Sequence, residues 1–426
     1  MRTFVKIRRL VSTPGELVEQ LGKLAETVQW HDKQIDAIKH GKSTLLNGLL
    51  PEDALRFNLA DPQERSRHLA NPGEFAQACR SLPTDKKGQL VFVDEAQSVP
   101  SIFDAVQMLY DADKTRWRFV LCGSSARKLR LTGANLLPGR SLVHHLYPLT
   151  LAEHPATEGK AAHATSPLPF PWSDGKAAKH PFPAWDLLTR LAYGALPGIV
   201  TAAKQDREGL LKGYAFVHLE EEIRREALVK DWGAFVRFLQ LAASESGQIL
   251  NYANISKEAG ISQPTVKSYY QLLEDMFVGI RVTAYAKSPR KNLLSTPKFL
   301  FFDLGVRHAA AGLSPSPELV RVNPGPMLEQ WVGIELWNRL QYLGGGKLHH
   351  QRTRDGAEVD FIIEQAGKLT PIEVKWTENP TLNDARNLLT FLDEKSKDAK
   401  HGYVICRCPR PLRLHDRITA LPWFCL

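Results

Sequence analysis

Short apolar runs alternate with stretches of helical periodicity over the first 150 residues of the chain. A helix is predicted over residues 13–26, where apolar side chains recur at helical spacing after a capping Thr13 and Pro14. Strands are predicted at Leu55–Leu59, Gln89–Val93, Arg118–Cys122 and Leu142–Leu146. Strands that alternate with helices indicate an α/β domain with a parallel sheet.

The pattern changes after residue 153. Residues 154–184 are rich in proline, which fixes φ and removes a backbone donor, so an insertion or linker is predicted there. Helical spacing returns over 185–247, and 324–426 combine one long helix, strands, a helix and a final strand. The predicted domains are therefore residues 1–153, 154–184, 185–247, 248–323 and 324–426.

Composition adds information about partners and compartment. The formal net charge of +9 favours polyanionic partners such as nucleic acid, and a solvated basic surface is the equally open alternative. Five scattered cysteines favour a reducing cytoplasm over a disulfide framework. No apolar run reaches membrane-spanning length, and the first residues lack the apolar core of a signal peptide, so a cytoplasmic protein without a membrane partner is predicted.

The segment after His40 carries the residues of a phosphate-binding loop. In such a loop, backbone N–H groups at a helix N-terminus bind phosphate oxygens, Lys42 reaches the β- and γ-phosphates, and the Ser43 hydroxyl holds Mg²⁺. The full pattern has glycine where this chain has Asp36, whose carboxylate repels phosphates. A plain helix start is the alternative interpretation. The predicted ATP-binding residues are Gly41, Lys42, Ser43 and Thr44.

The apolar strand over residues 90–93 ends in two carboxylates, Asp94 and Glu95. This is the Walker B arrangement, in which Asp94 holds the water shell of Mg²⁺ and Glu95 polarises the attacking water. Two acids at a strand end can also form a solvated turn. Their position about fifty residues after the Gly-Lys-Ser segment favours the ATP site.

Two further polar positions are candidates at this site. Ser124 or Ser125, which follow the strand Arg118–Cys122, would contact the γ-phosphate or the attacking water, and a helix cap is the alternative. Arg140 would act as an arginine finger toward a neighbouring subunit of a homo-oligomer, because its charge is permanent and planar. A surface ion pair is the alternative role for Arg140.

A helix-turn-helix pattern occupies residues 250–275 and begins the predicted winged-helix segment. Gly260 lies at the turn and Ser262 caps the second helix. The exposed face of that helix would carry Gln263, Thr265, Lys267, Ser268 and Gln271. A basic stretch follows, with Lys287, Arg290, Lys291 and Lys298. DNA binding and packing between domains remain equally open.

Residues 358–376 predict a β-hairpin with its turn at 365–367. Because strand side chains alternate, Glu358 shares a face with Asp360, and Glu373 shares a face with Lys375. Carboxylates and a lysine on one hairpin face bind Mg²⁺ and activate water against a phosphodiester. A helical acid, Glu329 or Glu335, would complete the ligand set. Cross-strand ion pairing is the alternative.

This hairpin resembles the PD-(D/E)xK nuclease core, with Asp360, Glu373 and Lys375 on its motif. Across nearly the whole chain, the order of segments resembles prokaryotic AAA+-type P-loop ATPases that carry a C-terminal nuclease-like domain of unknown function. The segments at 147–153 and 193–197 belong to the same resemblance. It implies an α/β fold class: a P-loop NTPase sheet, a helical and winged-helix segment, and an α/β restriction-endonuclease-like domain.

We expect a protein that binds ATP and Mg²⁺, hydrolyses ATP, and couples this to a winged-helix and nuclease-like module that acts on DNA. One alternative is a non-hydrolysing interaction protein, motivated by Asp36. The other is a Mg²⁺-dependent nuclease that the ATPase part assembles. The candidate catalytic residues are Asp94, Glu95, Ser124, Arg140, Asp360, Glu373 and Lys375. The candidate metal ligands are Ser43, Asp94, Asp360 and Glu373.

Overall fold

The computed structural model describes residues 3–8, 46, 48–84, 87–123, 142–158, 182–218, 223, 229, 231–286, 296–352 and 357–426. The chain divides into two units, Met1–Tyr147 and Pro148–Leu426. Several predicted features lie outside the described residues, namely the helix at 13–26, the loop residues Gly41, Lys42, Ser43 and Thr44, the serines Ser124 and Ser125, Arg140, and the basic residues Lys287, Arg290 and Lys291.

A mixed five-stranded sheet lies at the centre of the first unit. Its strands are β1 (Thr3–Arg8), β2 (Leu55–Asn58), β3 (Gln89–Asp94), β4 (Trp117–Gly123) and β5 (Leu142–Leu146). They follow the order β2-β3-β4-β1-β5. The predicted parallel pairing is confirmed for β2, β3 and β4. The sheet as a whole is mixed rather than parallel, because the N-terminal β1 runs antiparallel to both β4 and β5.

Among the described residues of this unit, the helices named here are α1 (Pro62–Ala70), α2 (Glu74–Arg80) and α3 (Ser101–Ala112). Helix α1 begins with an Asp61 cap that accepts a hydrogen bond from the Gln63 N–H at 2.8 Å, and proline occupies its first position. Helix α3 buries Ile102, Phe103, Val106 and Leu109, a stripe at helical spacing that faces the core. These helices supply the α layer predicted for an α/β unit.

An eight-stranded sheet lies at the centre of the second unit. Its strands are β6 (Gly279–Ala284), β7 (Lys298–Phe301), β8 (Lys347–Arg352), β9 (Glu358–Gln365), β10 (Lys368–Val374), β11 (Gly402–Cys406), β12 (Leu412–His415) and β13 (Ile418–Pro422). They follow the order β12-β13-β11-β10-β9-β8-β6-β7. After the helix at Arg386–Glu394, the chain forms three strands, β11, β12 and β13, where a single final strand was predicted. The hairpin β6–β7 extends the same sheet as the predicted nuclease-like strands, through parallel pairing of β6 with β8.

The helices of this unit are α4 (Leu187–Tyr193), α5 (Pro197–Val200), α6 (Arg207–Lys212), α7 (Trp232–Ser244), α8 (Tyr252–Ala259), α9 (Gln263–Asp275), α10 (Leu304–Ala310), α11 (Pro317–Val322), α12 (Pro324–Tyr342) and α13 (Arg386–Glu394). Helix α13 buries Leu388, Phe391 and Leu392 against apolar side chains of β9 and β11. Within the described residues, no helix combines the length and apolar character needed to cross a membrane.

The turn after α4 depends on a glycine at position 194. Gly194 has φ +74°, and the next N–H, of Ala195, donates to Asp303 Oδ2 at 2.7 Å. A Cβ at position 194 would collide with the Asp303 carboxylate, which also caps α10 through the Val306 N–H. Its ψ of −154° puts Gly194 in a backbone region that is essentially restricted to glycine. We therefore expect Gly194→Ala to lower the free energy of unfolding by several kcal/mol, beyond the roughly 1–3 kcal/mol of backbone strain.

Urea denaturation measures this loss, and Gly312→Ala is the matched control. Gly312 has φ +75°, but a Cβ there would meet no atom within 4 Å. The control substitutes a residue of positive φ without causing a collision. We therefore expect it to lower the free energy of unfolding by roughly 1–2 kcal/mol. Equal losses in the two variants would contradict a steric role for Asp303.

Candidate functional site

The acid pair Asp94 and Glu95 lies at the carboxyl end of β3, as predicted. The Asp94 side chain is 8% exposed and its Oδ1 accepts a hydrogen bond from the Glu95 N–H at 3.0 Å. Glu95 is left-handed, with φ 51°, and its Oε2 accepts from Gln97 Nε2 at 2.5 Å. A non-glycine residue in this conformation costs roughly 1–3 kcal/mol and is typical of functional sites. Ligands of open α/β sheets bind at this end of the strands.

The chain that follows the Gly-Lys-Ser segment packs against the same strand. Residues 46, 48 and 49 are helical. Leu46 is 5% exposed and shares one apolar cluster with Phe92 of β3 and with Val120 and Cys122 of β4. The helix expected after a phosphate-binding loop therefore lies beside the strand that carries Asp94.

The predicted hairpin is formed by β9 and β10, and it brings Asp360, Glu373 and Lys375 together. Asp360 is 7% exposed and its Oδ2 accepts a hydrogen bond from the Val374 N–H at 2.8 Å. Glu373 is 4% exposed, and its Oε1 lies 2.6 Å from Lys375 Nζ. Both acids are thus buried, and each accepts a hydrogen bond inside the protein.

A second lysine, Lys298 of β7, completes this group. It is 3% exposed, and its Nζ lies 2.9 Å from Glu329 Oε1 and 2.8 Å from Glu358 Oε1. Lys298 was predicted as part of a basic stretch that could bind DNA. That prediction is wrong for Lys298, because its ammonium is buried and bound by carboxylates. A single lysine at the start of the apolar run 298–302 was the available signal for a buried, paired charge.

Burial and neighbouring charges shift the acid–base behaviour of this group. Burial raises the pKa of Asp360 well above its ordinary value, and the charges of Glu329 and Glu373 add to the rise. Burial likewise raises the pKa of Glu373, although Lys375 opposes the rise. Burial lowers the pKa of Lys298, but Glu329, Asp360 and Glu358 outweigh it and the pKa is raised. The lysine therefore stays protonated while the two central acids resist ionisation.

Of the two helical acids considered for this site, Glu329 joins it and Glu335 does not. Glu335 is 3% exposed and its Oε1 binds Arg339 Nε at 2.7 Å and the Leu151 N–H at 3.0 Å. In the part of the chain that the structure describes, no three His, Cys, Asp or Glu side chains are arranged to hold a metal ion. The carboxylates of the hairpin are arranged around ammonium groups.

The helix-turn-helix is present as predicted. Helix α8 ends at Gly260, which has φ 69°, and Ser262 Oγ caps α9 by accepting from the Thr265 N–H at 3.3 Å. The outer face of α9 exposes Gln263, Lys267, Ser268 and Gln271, with Thr265 half-buried. The hairpin β6–β7 follows, and Ile249 forms an isolated antiparallel bridge with Lys298.

Family models match three parts of the chain. Residues 39–154 match an AAA domain. Residues 184–317 and 324–426 match two domains of unknown function, DUF8612 and DUF4143. The AAA match indicates an ATP-binding domain of the ATPase type, which agrees with the predicted ATP and divalent-metal cofactors.

The chain is also similar to uncharacterized bacterial proteins. One, from Mycobacterium tuberculosis, is 24% identical over 345 residues, which cover 80% of this chain and 69% of that protein. Another, from Haemophilus influenzae, is 24% identical over 404 residues, which cover 89% of this chain and 92% of that protein. No solved structure matched the chain.

Proposed function

We propose that the chain is an ATPase that binds and hydrolyses ATP with Mg²⁺ in the Met1–Tyr147 unit. The observation that carries the proposal is the acid pair at the end of β3, with Asp94 buried and Glu95 held in a left-handed turn. The packing of Leu46 on this strand supports it, because Leu46 follows Ser43 by three residues.

The residue types fit the chemistry of Mg²⁺–ATP. Carboxylate oxygens are hard ligands of the kind that Mg²⁺ prefers. In the proposal, Asp94 holds the metal through water, Ser43 is its second protein ligand, and Lys42 binds the β- and γ-phosphates. Bound Mg²⁺ would neutralise charge on the transferred phosphoryl group. Gly41 and Thr44 would supply backbone N–H groups to the phosphates.

Glu95 is the proposed base for the attacking water. The hydrogen bond from Gln97 to one carboxylate oxygen fixes the orientation of the side chain. A fixed carboxylate can orient a water molecule in line with the γ-phosphate without reorganising during the reaction. Ser124 is proposed to contact the γ-phosphate, and Arg140 is proposed to reach the site of a neighbouring subunit in a homo-oligomer.

Titration with a fluorescent ATP analogue tests the proposal. We expect saturable, Mg²⁺-dependent binding that Lys42→Ala abolishes, because the ammonium of Lys42 is the main charge on the phosphates. Lys114→Ala is the matched control, since Lys114 is an exposed lysine of the same unit. Binding that Lys42→Ala leaves unchanged would remove the ATPase proposal and favour a non-hydrolysing interaction protein.

Asp36 gives a second prediction for this site. Asp36→Gly should tighten Mg²⁺–ATP binding by roughly tenfold, because it removes a carboxylate from the phosphate-binding loop and restores its glycine. ATP turnover of both proteins, with and without DNA, measures the effect on catalysis. Asp32→Gly, which removes a nearby acid of the same charge, is the control. An equal gain in the control would show that only the net charge matters.

We also propose nucleic acid as a partner of the Pro148–Leu426 unit. The exposed polar face of α9 and the hairpin β6–β7 that follows it support a winged-helix segment at 248–323. The other proposed segments are an ATPase domain at 1–153, a linker at 154–184, helices at 185–247 and a nuclease-like domain at 324–426.

A DNA-binding assay tests the nucleic-acid partner. We expect the logarithm of the affinity for duplex DNA to fall linearly with the logarithm of the salt concentration, and Lys267→Glu to bind DNA less tightly than the wild type. Equal binding by the variant would favour a packing role.

A Mg²⁺-dependent nuclease of the PD-(D/E)xK type is a second candidate function. The observation that favours it is the grouping of Asp360, Glu373 and Lys375 on the hairpin, with Glu329 close enough to affect both acids. Incubation with plasmid or RNA and Mg²⁺ tests it. Cleavage that survives both Asp360→Ala and Lys375→Ala would exclude the hairpin as its active site.

A further inference from the structure

The ammonium of Lys298 lies among carboxylates that come from two other elements. Glu329 belongs to α12, Glu358 and Asp360 to β9, and Lys298 itself to β7. Nζ contacts Glu329 at 2.9 Å and Glu358 at 2.8 Å, and Asp360 adds a further attraction. A buried ammonium is costly unless it is paired, so these acids hold the lysine in place. We call Glu329, Glu358, Asp360 and Glu373 the carboxylate cluster.

The carboxylate cluster contains an oxygen whose binding capacity is unused. Glu373 Oε1 takes the Lys375 ammonium, but no hydrogen-bond donor among the described residues reaches the buried Oε2. The charges of Glu329 and Glu358 also act on Glu373, so this side chain lies close to both acids. A buried carboxylate oxygen without a partner is unfavourable, and a bound cation would satisfy it.

A cavity adjoins part of the cluster. A cavity of about 370 Å³ is lined by Lys298, Glu329 and Glu358, together with Arg352 and Gln330. This volume exceeds the roughly 30 Å³ share of a single water molecule by far, so a hydrated ion can enter.

The charged groups of the carboxylate cluster indicate the role of the Lys298 ammonium. The cluster contains four acidic side chains and two ammonium groups, Lys298 and Lys375, and Arg352 also acts on Glu358. Hard oxygen ligands of this kind suit Mg²⁺ or Mn²⁺. With Lys298 present, an entering divalent cation meets a positive charge at close range, and this repulsion opposes binding.

We propose that the Lys298 ammonium occupies the cation site of the carboxylate cluster, and that a divalent cation of the Mg²⁺ or Mn²⁺ type binds there once the ammonium is removed. The arrangement explains why no metal-binding group is preformed among the described residues. The inference goes beyond the proposed ATPase function and does not depend on it, since the cluster lies in the other unit. It competes with the nuclease candidate, because the Lys298 ammonium opposes metal binding by the same acids.

Mn²⁺ binding to the full chain without nucleotide, followed by electron paramagnetic resonance, tests the proposal. All proteins carry Asp94→Asn, so that the proposed ATP site does not contribute. We expect Lys298→Met to bind one Mn²⁺ at least about tenfold more tightly than the parent protein. Adding Glu373→Gln to Lys298→Met should abolish that binding. Lys368→Met, which alters an exposed lysine of β10, is the control and should match the parent.

Thermal unfolding with and without Mn²⁺ provides the second readout. Mn²⁺ should raise the Tm of Lys298→Met and leave the Tm of Lys368→Met unchanged, because a bound ion stabilises the folded state. Mn²⁺ affinity in Lys298→Met that equals the parent, or that survives Glu373→Gln, would overturn the proposal. A Lys298→Met protein that is unfolded both with and without Mn²⁺ would also overturn it, since the cation then fails to replace the ammonium.

Discussion

The Glu95→Gln variant is expected to hydrolyse ATP at least about a hundredfold more slowly than the wild type while it still binds Mg²⁺–ATP. The substitution keeps the shape of the side chain and removes the charge that is proposed to polarise the attacking water. The left-handed turn and the contact with Gln97 place this effect in the chemical step rather than in binding. Steady-state turnover and the Kd of a fluorescent analogue separate the two.

Glu52→Gln is the matched control for this variant, because Glu52 is an exposed glutamate of the same unit. Its turnover should equal that of the wild type. If Glu95→Gln retains full turnover, Glu95 has no role in the reaction, and the acid pair at the end of β3 is a structural turn. A loss of turnover that is accompanied by a loss of ATP binding would assign Glu95 to ligand binding.

Glu335→Ala is expected to lower the free energy of unfolding of the Pro148–Leu426 unit by about 3–5 kcal/mol. Glu335 is 3% exposed and Arg339 is 1% exposed, and the shortest contact between them is 2.7 Å. The substitution removes a carboxylate that contacts two guanidinium nitrogens of this buried arginine. It also removes the acceptor of the Leu151 N–H. Denaturation followed by tryptophan fluorescence measures the loss.

Glu318→Ala is the control for the buried pair. Glu318 and Arg321 form an ion pair at 3.3 Å, with side chains 75% and 60% exposed. Exposed pairs contribute about 0–1 kcal/mol, so this variant should unfold almost as the wild type does. A loss in Glu335→Ala as small as in Glu318→Ala would mean that water reaches Arg339 when the carboxylate is removed.

Local patterns predicted much of the fold. All four strands expected in the first unit are present within one residue at either end. The helix-turn-helix and the hairpin at Gln365–Lys368 are also present, since their signals are short and local: Gly260 at a turn, Ser262 at a cap, and alternation along β9 and β10. Asp94 lies at a strand end for the same reason.

These local patterns could not predict which residues pair when they lie far apart in the sequence. The strand β1 was not predicted, because Phe4, Val5 and Ile7 form a short apolar group without strict alternation among charged side chains. The pairing of Lys298 with Glu329 and Glu358 joins residues 31 and 60 positions apart. Sequence spacing along one strand shows which residues share a face, but it does not show which element covers that face.

The proposed ATPase function requires Lys42 and Ser43 to meet Asp94 and Glu95 around one triphosphate and its metal. A crystal structure of the chain with Mg²⁺ and a non-hydrolysable ATP analogue measures this directly. We predict that the Lys42 ammonium contacts the β- and γ-phosphates while Asp94 reaches the same Mg²⁺ through water. A structure in which packed side chains separate Lys42 from Asp94, or in which the analogue binds elsewhere, would contradict the account.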